Sequence, residues 1–258
     1  MAKEFICSAT SPVVQTNAGK LRGFVVDGTY TFHGIKYADA KRFQMPQPVA
    51  PWEGIRDALS YGYVSPILNR ETASGEVKIP HRYWPKDENC QYLNVWTQSL
   101  DPQAKRPVMV WLHGGGFWDG SSIEHVAYDG ENLSRFGDVV VVTVNHRLNI
   151  LGYLDLSPYG EKYWNSGNAG NADLVASLQW VHDNIAQFGG DPENVTISAS
   201  PAAAGRSPLS CRPRRQRPVP KGHHYERRVP TAPCRRKNPT AAPWSRPCCK
   251  SWAWRKRT

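Results

Sequence analysis

A run of three glycines follows a short apolar segment, and this combination could bind a developing negative charge. The sequence His113-Gly114-Gly115-Gly116-Phe117 comes directly after the apolar residues 108–112. Because glycine has no Cβ, consecutive backbone N–H groups can point at one acceptor. In an open α/β sheet, ligands lie beyond the carboxyl ends of the parallel strands. The pattern favours an oxyanion hole over the alternative, a flexible turn.

The segments around this loop predict strands. Residues 108–112 and 139–144 are short, β-branched and continuously apolar, which is typical of parallel strands covered on both faces. Residues 21–26 and 29–32 flank Asp27-Gly28, a dipeptide that favours an antiparallel hairpin.

The segment after the second strand predicts a helix over 171–188. Its apolar face consists of Leu174, Leu178, Val181, Ile185 and Phe188. The glycines at 189–190 end the helix, residues 191–194 form a turn, and residues 195–197 form a further strand. Strands that alternate with a helix predict an α/β fold with right-handed connections.

Six motifs in a fixed order then carry a resemblance to a known family. They lie at 32–43, 88–95, 113–117, 145–154, 167–173 and 180–192. From about residue 19 to 197 the chain resembles the type-B carboxylesterases, which are cholinesterase-like α/β-hydrolases. The resemblance implies that residues 1–197 are the N-terminal portion of such a domain, with half of a mostly parallel sheet and an N-terminal antiparallel hairpin. It also implies a small-molecule carboxylic ester as substrate, and neither cofactor nor metal.

The resemblance also implies the parts of a catalytic site. Members of the family use a serine on a G-x-S-x-G elbow, with an acidic residue and a histidine far downstream. The oxyanion hole maps to Gly115 and Gly116, and its third donor maps to Ala202. Trp118 is a candidate contact for the substrate.

The predicted elbow position carries the wrong residues. Pro201 stands where the family has its serine, and a proline ring fixes φ near roughly −65°, whereas an elbow needs a positive φ. Ser200 lies one position too early to replace the serine. His223, His224 and Glu226 lie in a Pro/Arg-rich run that is typical of solvated chain. We therefore expect this chain, as printed, to be a truncated and inactive hydrolase.

Residues 198–258 differ in composition from the rest of the chain. They hold 16 Lys and Arg against one acidic residue, 10 of the 21 prolines and four of the six cysteines. Their charge of +15, against −5 for residues 1–197, accounts for the total of +10. Few apolar residues are present to offset the entropy of ordering, so we predict a disordered basic tail. The cysteines lack the CxxC spacing of a zinc site.

A frameshift explains this composition. One base inserted after the first base of the Ser198 codon permits Phe-Gly-Glu-Ser-Gly, the missing elbow, with allowed third bases throughout. We hypothesise that a single-base loss, in the gene or in its sequencing, shifted the frame at Ser198 and that 198–258 is out-of-frame translation.

Two alternatives to a hydrolase remain open. The glycine loop and Trp118 could bind an acyl or carboxylate group without turnover. The tail could bind nucleic acid through Arg214, Arg215, Arg217 and residues 255–257, with Trp244, Trp252 and Trp254 stacking on bases. Because the frameshift explains the same residues, we expect no nucleic-acid partner.

The sequence predicts a cytoplasmic protein without a membrane partner. It has neither a long apolar stretch nor a secretory signal. The resemblance implies a partner cysteine for Cys90, but Val64-Ser65-Pro66 stands at that place. We therefore expect Cys90 to be a free, buried thiol, as suits a reducing compartment.

Overall fold

The computed structural model describes residues 4–66 and 82–199. The candidate site residues Ser200, Pro201 and Ala202 lie outside the described residues. The same holds for His223, His224, Glu226 and the remainder of the tail, whose disorder stays a prediction.

Ten strands and three α-helices make up the described part of the chain. The strands are β1 (Phe5–Ile6), β2 (Val13–Gln15), β3 (Lys20–Arg22), β4 (Phe24–Val26), β5 (Thr29–Lys36), β6 (Ile55–Asp57), β7 (Tyr92–Thr97), β8 (Arg106–Leu112), β9 (Val140–Val144) and β10 (Gly190–Ala199). The α-helices are α1 (Glu131–Gly137), α2 (Asn149–Tyr153) and α3 (Ala169–Asn184). Short 3₁₀ turns lie at Pro102–Ala104, Val126–Tyr128, Ser157–Tyr159, Glu161–Tyr163, Ser166–Asn168 and Ile185–Phe188.

Seven strands form one mixed sheet in the order β1-β4-β5-β7-β9-β8-β10. The neighbours β9, β8 and β10 run parallel, whereas the other neighbours are antiparallel. Strands β2, β3 and β6 form a separate small sheet. The α/β fold with an N-terminal hairpin is confirmed, but the described half of the sheet is mixed rather than mostly parallel, and its parallel part carries the glycine loop.

The predicted hairpin forms, but its first strand begins at Phe24 rather than at residue 21. Strands β4 and β5 pair antiparallel across Asp27 and Gly28, whose φ angles of 46° and 80° suit a type I′ turn. The predicted first strand, 21–26, is divided at Gly23 between two sheets. A Cβ at Gly23 would lie 2.7 Å from Cδ1 of Phe32, so the chain crosses that ring too closely for any other residue.

The apolar face of the predicted helix packs on the sheet. Leu174, Val181, Ile185 and Phe188 are buried, and Leu178 packs at the edge of the same core. The Phe188 ring meets the Phe32 ring edge-on at 5.0 Å between centroids. Burying each such side chain contributes about 1.5–3 kcal/mol. The last turn is a 3₁₀ helix, and it ends at Gly189 with a φ of 73°.

Strand β10 is longer than the sequence predicts. The predicted turn at 191–194 lies inside the strand, and the strand continues to Ala199, two residues past the predicted boundary at 197. The pairing with β8 shifts register between Gly190 and Val195. The Asp191 carboxylate accepts a hydrogen bond from the Glu193 N–H at 2.9 Å, which keeps a local turn within the strand.

Cys90 is a free and fully buried thiol, as predicted. Burial raises its pKa well above the ordinary value for a thiol. Within the described ranges, none of the helices combines the length and the apolar character that a membrane span requires.

Candidate functional site

The glycine loop emerges from the carboxyl end of β8 with two residues in the left-handed region. Gly115 has a φ of 93° and Gly116 a φ of 61°. A Cβ at Gly115 would collide with the carbonyl oxygen of Asp119, whereas a Cβ at Gly116 would have open space on all but one side. Gly115 is therefore required by the close approach of the backbone, and Gly116 only by its dihedral angle.

A tight turn folds the loop back on itself. The backbone N–H groups of Trp118 and Asp119 both donate to the carbonyl oxygen of Gly115, each at 3.3 Å. Among the described residues, no acceptor is found for the N–H groups of Gly115 or Gly116. The arrangement leaves two neighbouring donors able to bind an anionic oxygen.

Residues after β9 hold this loop from beneath. The N–H of Asn149 donates to the carbonyl oxygen of Phe117 at 2.6 Å, and the Phe117 ring meets the Tyr153 ring at 4.7 Å. The His113 ring lies beside the His146 ring, with 5.1 Å between centroids, and both histidines are buried. The loop is thus held by His146 in the segment that joins β9 to α2 and by Asn149 and Tyr153 of α2 itself.

Asn145, the first residue after β9, links three parts of the chain. Its side-chain oxygen accepts the Ser122 N–H at 2.8 Å, and its carbonyl oxygen accepts the Tyr37 hydroxyl at 2.7 Å. Burial raises the pKa of Tyr37 well above its ordinary value, so this hydroxyl remains a donor. The carboxyl edge of the sheet is therefore rigid where the glycine loop begins.

A buried ion pair between Arg147 and Asp173 lies under the same region. Their side chains are 1% and 0% exposed, and the guanidinium meets both carboxylate oxygens, at 2.7 and 2.8 Å. Burial would lower the pKa of Arg147, but the Asp173 carboxylate raises it overall. The sequence does not predict this pair, although both residues lie in the motifs at 145–154 and 167–173. A charged residue beside Leu174 on a helical face is a signal for Asp173 alone and does not identify its partner.

Arg147 also joins the pair to the rest of the fold. Its Nη1 donates to the carbonyl oxygens of Lys41 and Gln44, at 3.3 and 2.8 Å. Its Nη2 donates to the carbonyl oxygen of Ala169 at 3.4 Å. One side chain thereby connects the loop after β5 to the start of α3.

The end of β10 lies beside the end of β8. Ser198 pairs with Trp111, and Ala199 pairs with Leu112, the residue before His113. The chain therefore leaves β10 next to the glycine loop, where an elbow would have to begin. The residues that would form it, Ser200, Pro201 and Ala202, lie outside the described residues.

Trp118, the candidate substrate contact, is brought next to the two glycines. Its side chain is exposed, and its Cδ1 lies 3.9 Å from the position of a Cβ on Gly116. An aromatic surface therefore borders the two free N–H groups. The described part of the chain thus places the N–H groups of Gly115 and Gly116 beside an exposed aromatic side chain.

A second, half-buried polar cluster includes His33 of β5. The His33 ring stacks on the Tyr61 ring with 4.1 Å between centroids, and the Tyr61 hydroxyl donates to Asp129 at 3.0 Å. Arg82 binds both oxygens of the same carboxylate, each at 2.6 Å. Burial lowers the pKa of His33 from 6.5 to about 4. The ring is therefore neutral at physiological pH.

A surface cavity of about 850 Å³ lies apart from the glycine loop. Its lining comes from residues 39–47, from 87–89 and from Lys162 and Trp164. The ion pair between Arg42 and Glu88 crosses its wall with two hydrogen bonds of 2.7 and 2.9 Å. Charges of both signs line it, and it shares no residue with the loop.

Comparison with known proteins identifies relatives of this chain. The sequence pattern of the carboxylesterase family matches residues 10–209. Para-nitrobenzyl esterase of Bacillus subtilis is 40% identical over 192 residues, and carboxylesterase 3B of Mus musculus is 41% identical over 208 residues. These matches cover 73% and 74% of this chain but only 38% and 34% of the relatives.

A solved structure shares the fold. It is an esterase from the anaerobe Clostridium hathewayi, described as able to hydrolyse aliphatic aromatic polyesters. It is 65% identical to this chain with a TM-score of 0.73, over 77% of this chain and 39% of that one. The present chain therefore spans about two fifths of the length of the proteins it matches.

Proposed function

Because the chain belongs to the carboxylesterase family, we propose that its fold serves the hydrolysis of carboxylic esters, with Gly115 and Gly116 as donors of the oxyanion hole. The observation that carries this proposal is the pair of adjacent N–H groups without an acceptor at the carboxyl end of β8. In ester hydrolysis, negative charge develops on the carbonyl oxygen as the nucleophile attacks. Two preorganised donors stabilise that charge, and each is worth roughly 100- to 1,000-fold in rate.

The domain division underlies this proposal. We propose that residues 1–197 supply the hydrolase portion and that residues 198–258 are a separate, out-of-frame basic tail, of which Ser198 and Ala199 lie in β10. The register of β10 with β8 supports placing the elbow directly after Ala199, beside His113. Pro201 then occupies the position of the nucleophile, and Ala202 that of the third N–H donor. We infer that the chain as printed binds an ester carbonyl without turning it over.

The substrate class follows from the loop and its relatives. Trp118 presents an exposed aromatic surface next to Gly116, which suits an ester with an aromatic acyl or alcohol group. The relative from Clostridium hathewayi is described as acting on aliphatic aromatic polyesters. We therefore propose aromatic carboxylic esters as the ligands of this loop. The free, buried thiol of Cys90 supports a reducing compartment such as the cytoplasm.

Hydrolysis of p-nitrophenyl acetate by the purified 258-residue chain tests the missing nucleophile. We expect no turnover above the rate of buffer. Turnover that a serine-reactive organophosphate abolishes would show that a serine of this chain does act as nucleophile, and would overturn the inactive assignment.

Binding tests the loop separately from turnover. Titration with sodium benzoate should shift the backbone amide resonances of Gly115 and Gly116, because a carboxylate places an anionic oxygen where the oxyanion would lie. The Trp118→Ala variant should lose more affinity for benzoate than for acetate, because only benzoate can use the aromatic contact. Unchanged Gly115 and Gly116 resonances at saturating benzoate would contradict the assignment of the hole.

A further inference from the structure

Asn149, the first residue of α2, has a backbone conformation that few residues other than glycine adopt. Its φ is 47°, in the left-handed region, and the residue is buried. Asparagine tolerates this region better than most residues because its short amide can hydrogen-bond locally. Here Nδ2 donates to the carbonyl oxygen of Pro66 at 2.7 Å, and Oδ1 accepts the Leu151 N–H at 3.4 Å. The side chain therefore holds the residue in this conformation.

The left-handed conformation decides where the backbone N–H of Asn149 points. Rotation about φ turns the N–H relative to the side chain and to the onward chain, which are held by Pro66 and by α2. At a φ of 47° the N–H donates to the carbonyl oxygen of Phe117 at 2.6 Å. A residue restricted to negative φ would turn this donor away from Phe117. The contact with the glycine loop thus depends on the sign of one dihedral angle.

Two peptide units carry this contact to the N–H of Gly116. A trans peptide is planar, so its C=O and its N–H point in opposite directions. The unit that joins Phe117 to Trp118 accepts the hydrogen bond from Asn149. On its other side, the Trp118 N–H donates to the carbonyl oxygen of Gly115 at 3.3 Å. That oxygen belongs to the unit whose other side is the Gly116 N–H. Each hydrogen bond therefore fixes the orientation of the next peptide unit.

We propose that Asn149 is a positioning residue for the oxyanion hole, and that it sets the direction of the Gly116 N–H through these two peptide units. The inference rests on the proposed function, in which that N–H binds the anionic oxygen. Hydrogen bonds in series polarise one another, so the Gly116 N–H also becomes a stronger donor. The Asp119 N–H donates to the same Gly115 oxygen at 3.3 Å and belongs to the same turn. The group that orients the donor thus lies in α2, outside the glycine loop itself.

Amide NMR of the full chain tests the positioning without any ligand. Asn149→Gly keeps both the N–H and the access to positive φ, whereas Asn149→Val keeps the N–H but disfavours positive φ. We expect Asn149→Val to shift the Gly116 amide resonance, and Asn149→Gly to leave it where it lies in the unchanged chain. Lys105→Val is the matched control, because Lys105 has a φ of 45° and precedes β8, at the end opposite to the glycine loop. It makes the same demand on the backbone and should leave Gly116 unshifted.

Titration with sodium benzoate then measures the effect on binding. A misdirected Gly116 N–H loses a hydrogen bond to a charged oxygen, so Asn149→Val should bind benzoate on the order of tenfold more weakly. Asn149→Gly and Lys105→Val should bind it as the unchanged chain does. If benzoate shifts neither Gly115 nor Gly116 in the unchanged chain, the proposed function fails, whereas the ligand-free spectra still decide the role of Asn149.

A measurement on the unchanged chain does not depend on the folding of any variant. The hydrogen bond between Asn149 and Phe117 should give a scalar coupling between the amide nitrogen of the first and the carbonyl carbon of the second. Absence of this coupling would overturn the proposal. So would a Gly116 resonance that is the same in Asn149→Val and Asn149→Gly, or one that Lys105→Val moves as far as Asn149→Val does.

Discussion

The buried ion pair between Arg147 and Asp173 makes a strong prediction about stability. Asp173 accepts three hydrogen bonds from Arg147, at 2.7, 2.8 and 3.0 Å, and a longer one from Gln91 at 3.4 Å. Asp173→Asn keeps the shape of the side chain but removes its charge and replaces one acceptor oxygen by a donor. The guanidinium is then left charged, buried and facing an NH₂ group.

The expected loss is large relative to the stability of a domain. Removing one partner of a buried ion pair costs about 3–5 kcal/mol. A typical domain has about 5–15 kcal/mol in total. With a denaturant slope of about 2 kcal/mol per molar urea, the midpoint of unfolding should fall by about 1.5–2.5 M.

Urea unfolding followed by far-UV circular dichroism measures this shift, and a second aspartate provides the control. Asp57 pairs with Arg22 at 2.6 Å, but its side chain is 52% exposed. Asp57→Asn makes the same chemical change in a solvated pair, which is worth less than about 1 kcal/mol. If the midpoint of Asp173→Asn falls no further than that of Asp57→Asn, the argument from burial is wrong.

Three further predictions concern other parts of the chain. The pKa of His33 is near 4 in the folded state and near 6.5 in the unfolded state, so between these pH values only the unfolded state binds this proton. The free energy of unfolding should therefore fall by up to about 3 kcal/mol as the pH drops from about 6.5 to about 4. The urea midpoints at pH 7 and pH 4.5 should differ less in the His33→Phe variant than in the unchanged chain. Gly115→Ala should lower the melting temperature more than Gly116→Ala. Both variants lose about 1–2 kcal/mol because alanine disfavours a left-handed backbone, but only at position 115 does the new Cβ clash with the carbonyl oxygen of Asp119. Equal losses would contradict the close approach to Asp119. Nucleotide sequencing across the Ser198 codon should reveal the one base that the printed frame lacks. A continuous frame as printed, with transcript support, would exclude a sequencing error.

The elements that the sequence predicts best are those with a strong local pattern. The parallel strands β8 and β9 and the long helix α3 follow from apolar runs and from helical spacing, and each is confirmed within two residues at most of its boundaries apart from the final 3₁₀ turn. The division at Gly23 could not be predicted, because it depends on the Phe32 ring, which reaches that position only through the hairpin. The length of β10 likewise depends on its pairing with β8 rather than on local propensity.

The candidate site, like the fold, could be predicted from the sequence only in part. Three consecutive glycines after an apolar strand predict an anion-binding loop, and the positive φ angles of Gly115 and Gly116 fit that prediction. The support of the loop by Asn149, and the ion pair beneath it, could not be predicted, because both join residues distant in sequence. Charge alone marks Arg147 and Asp173 as polar, and only the fold shows that solvent does not reach them.

The glycine loop has contacts in the part of the chain that precedes the predicted elbow. The contacts of the glycine loop with His146, Asn149 and Tyr153 lie within the described part of the chain, before β10. Because glycine populates positive φ readily, Gly115 and Gly116 adopt this backbone conformation without the strain that another residue would carry. Under the proposed function, we therefore expect binding of an anionic oxygen and attack by a nucleophile to be separable. A substitution at Gly115 should weaken the binding, whereas the identity of residue 201 should decide the attack.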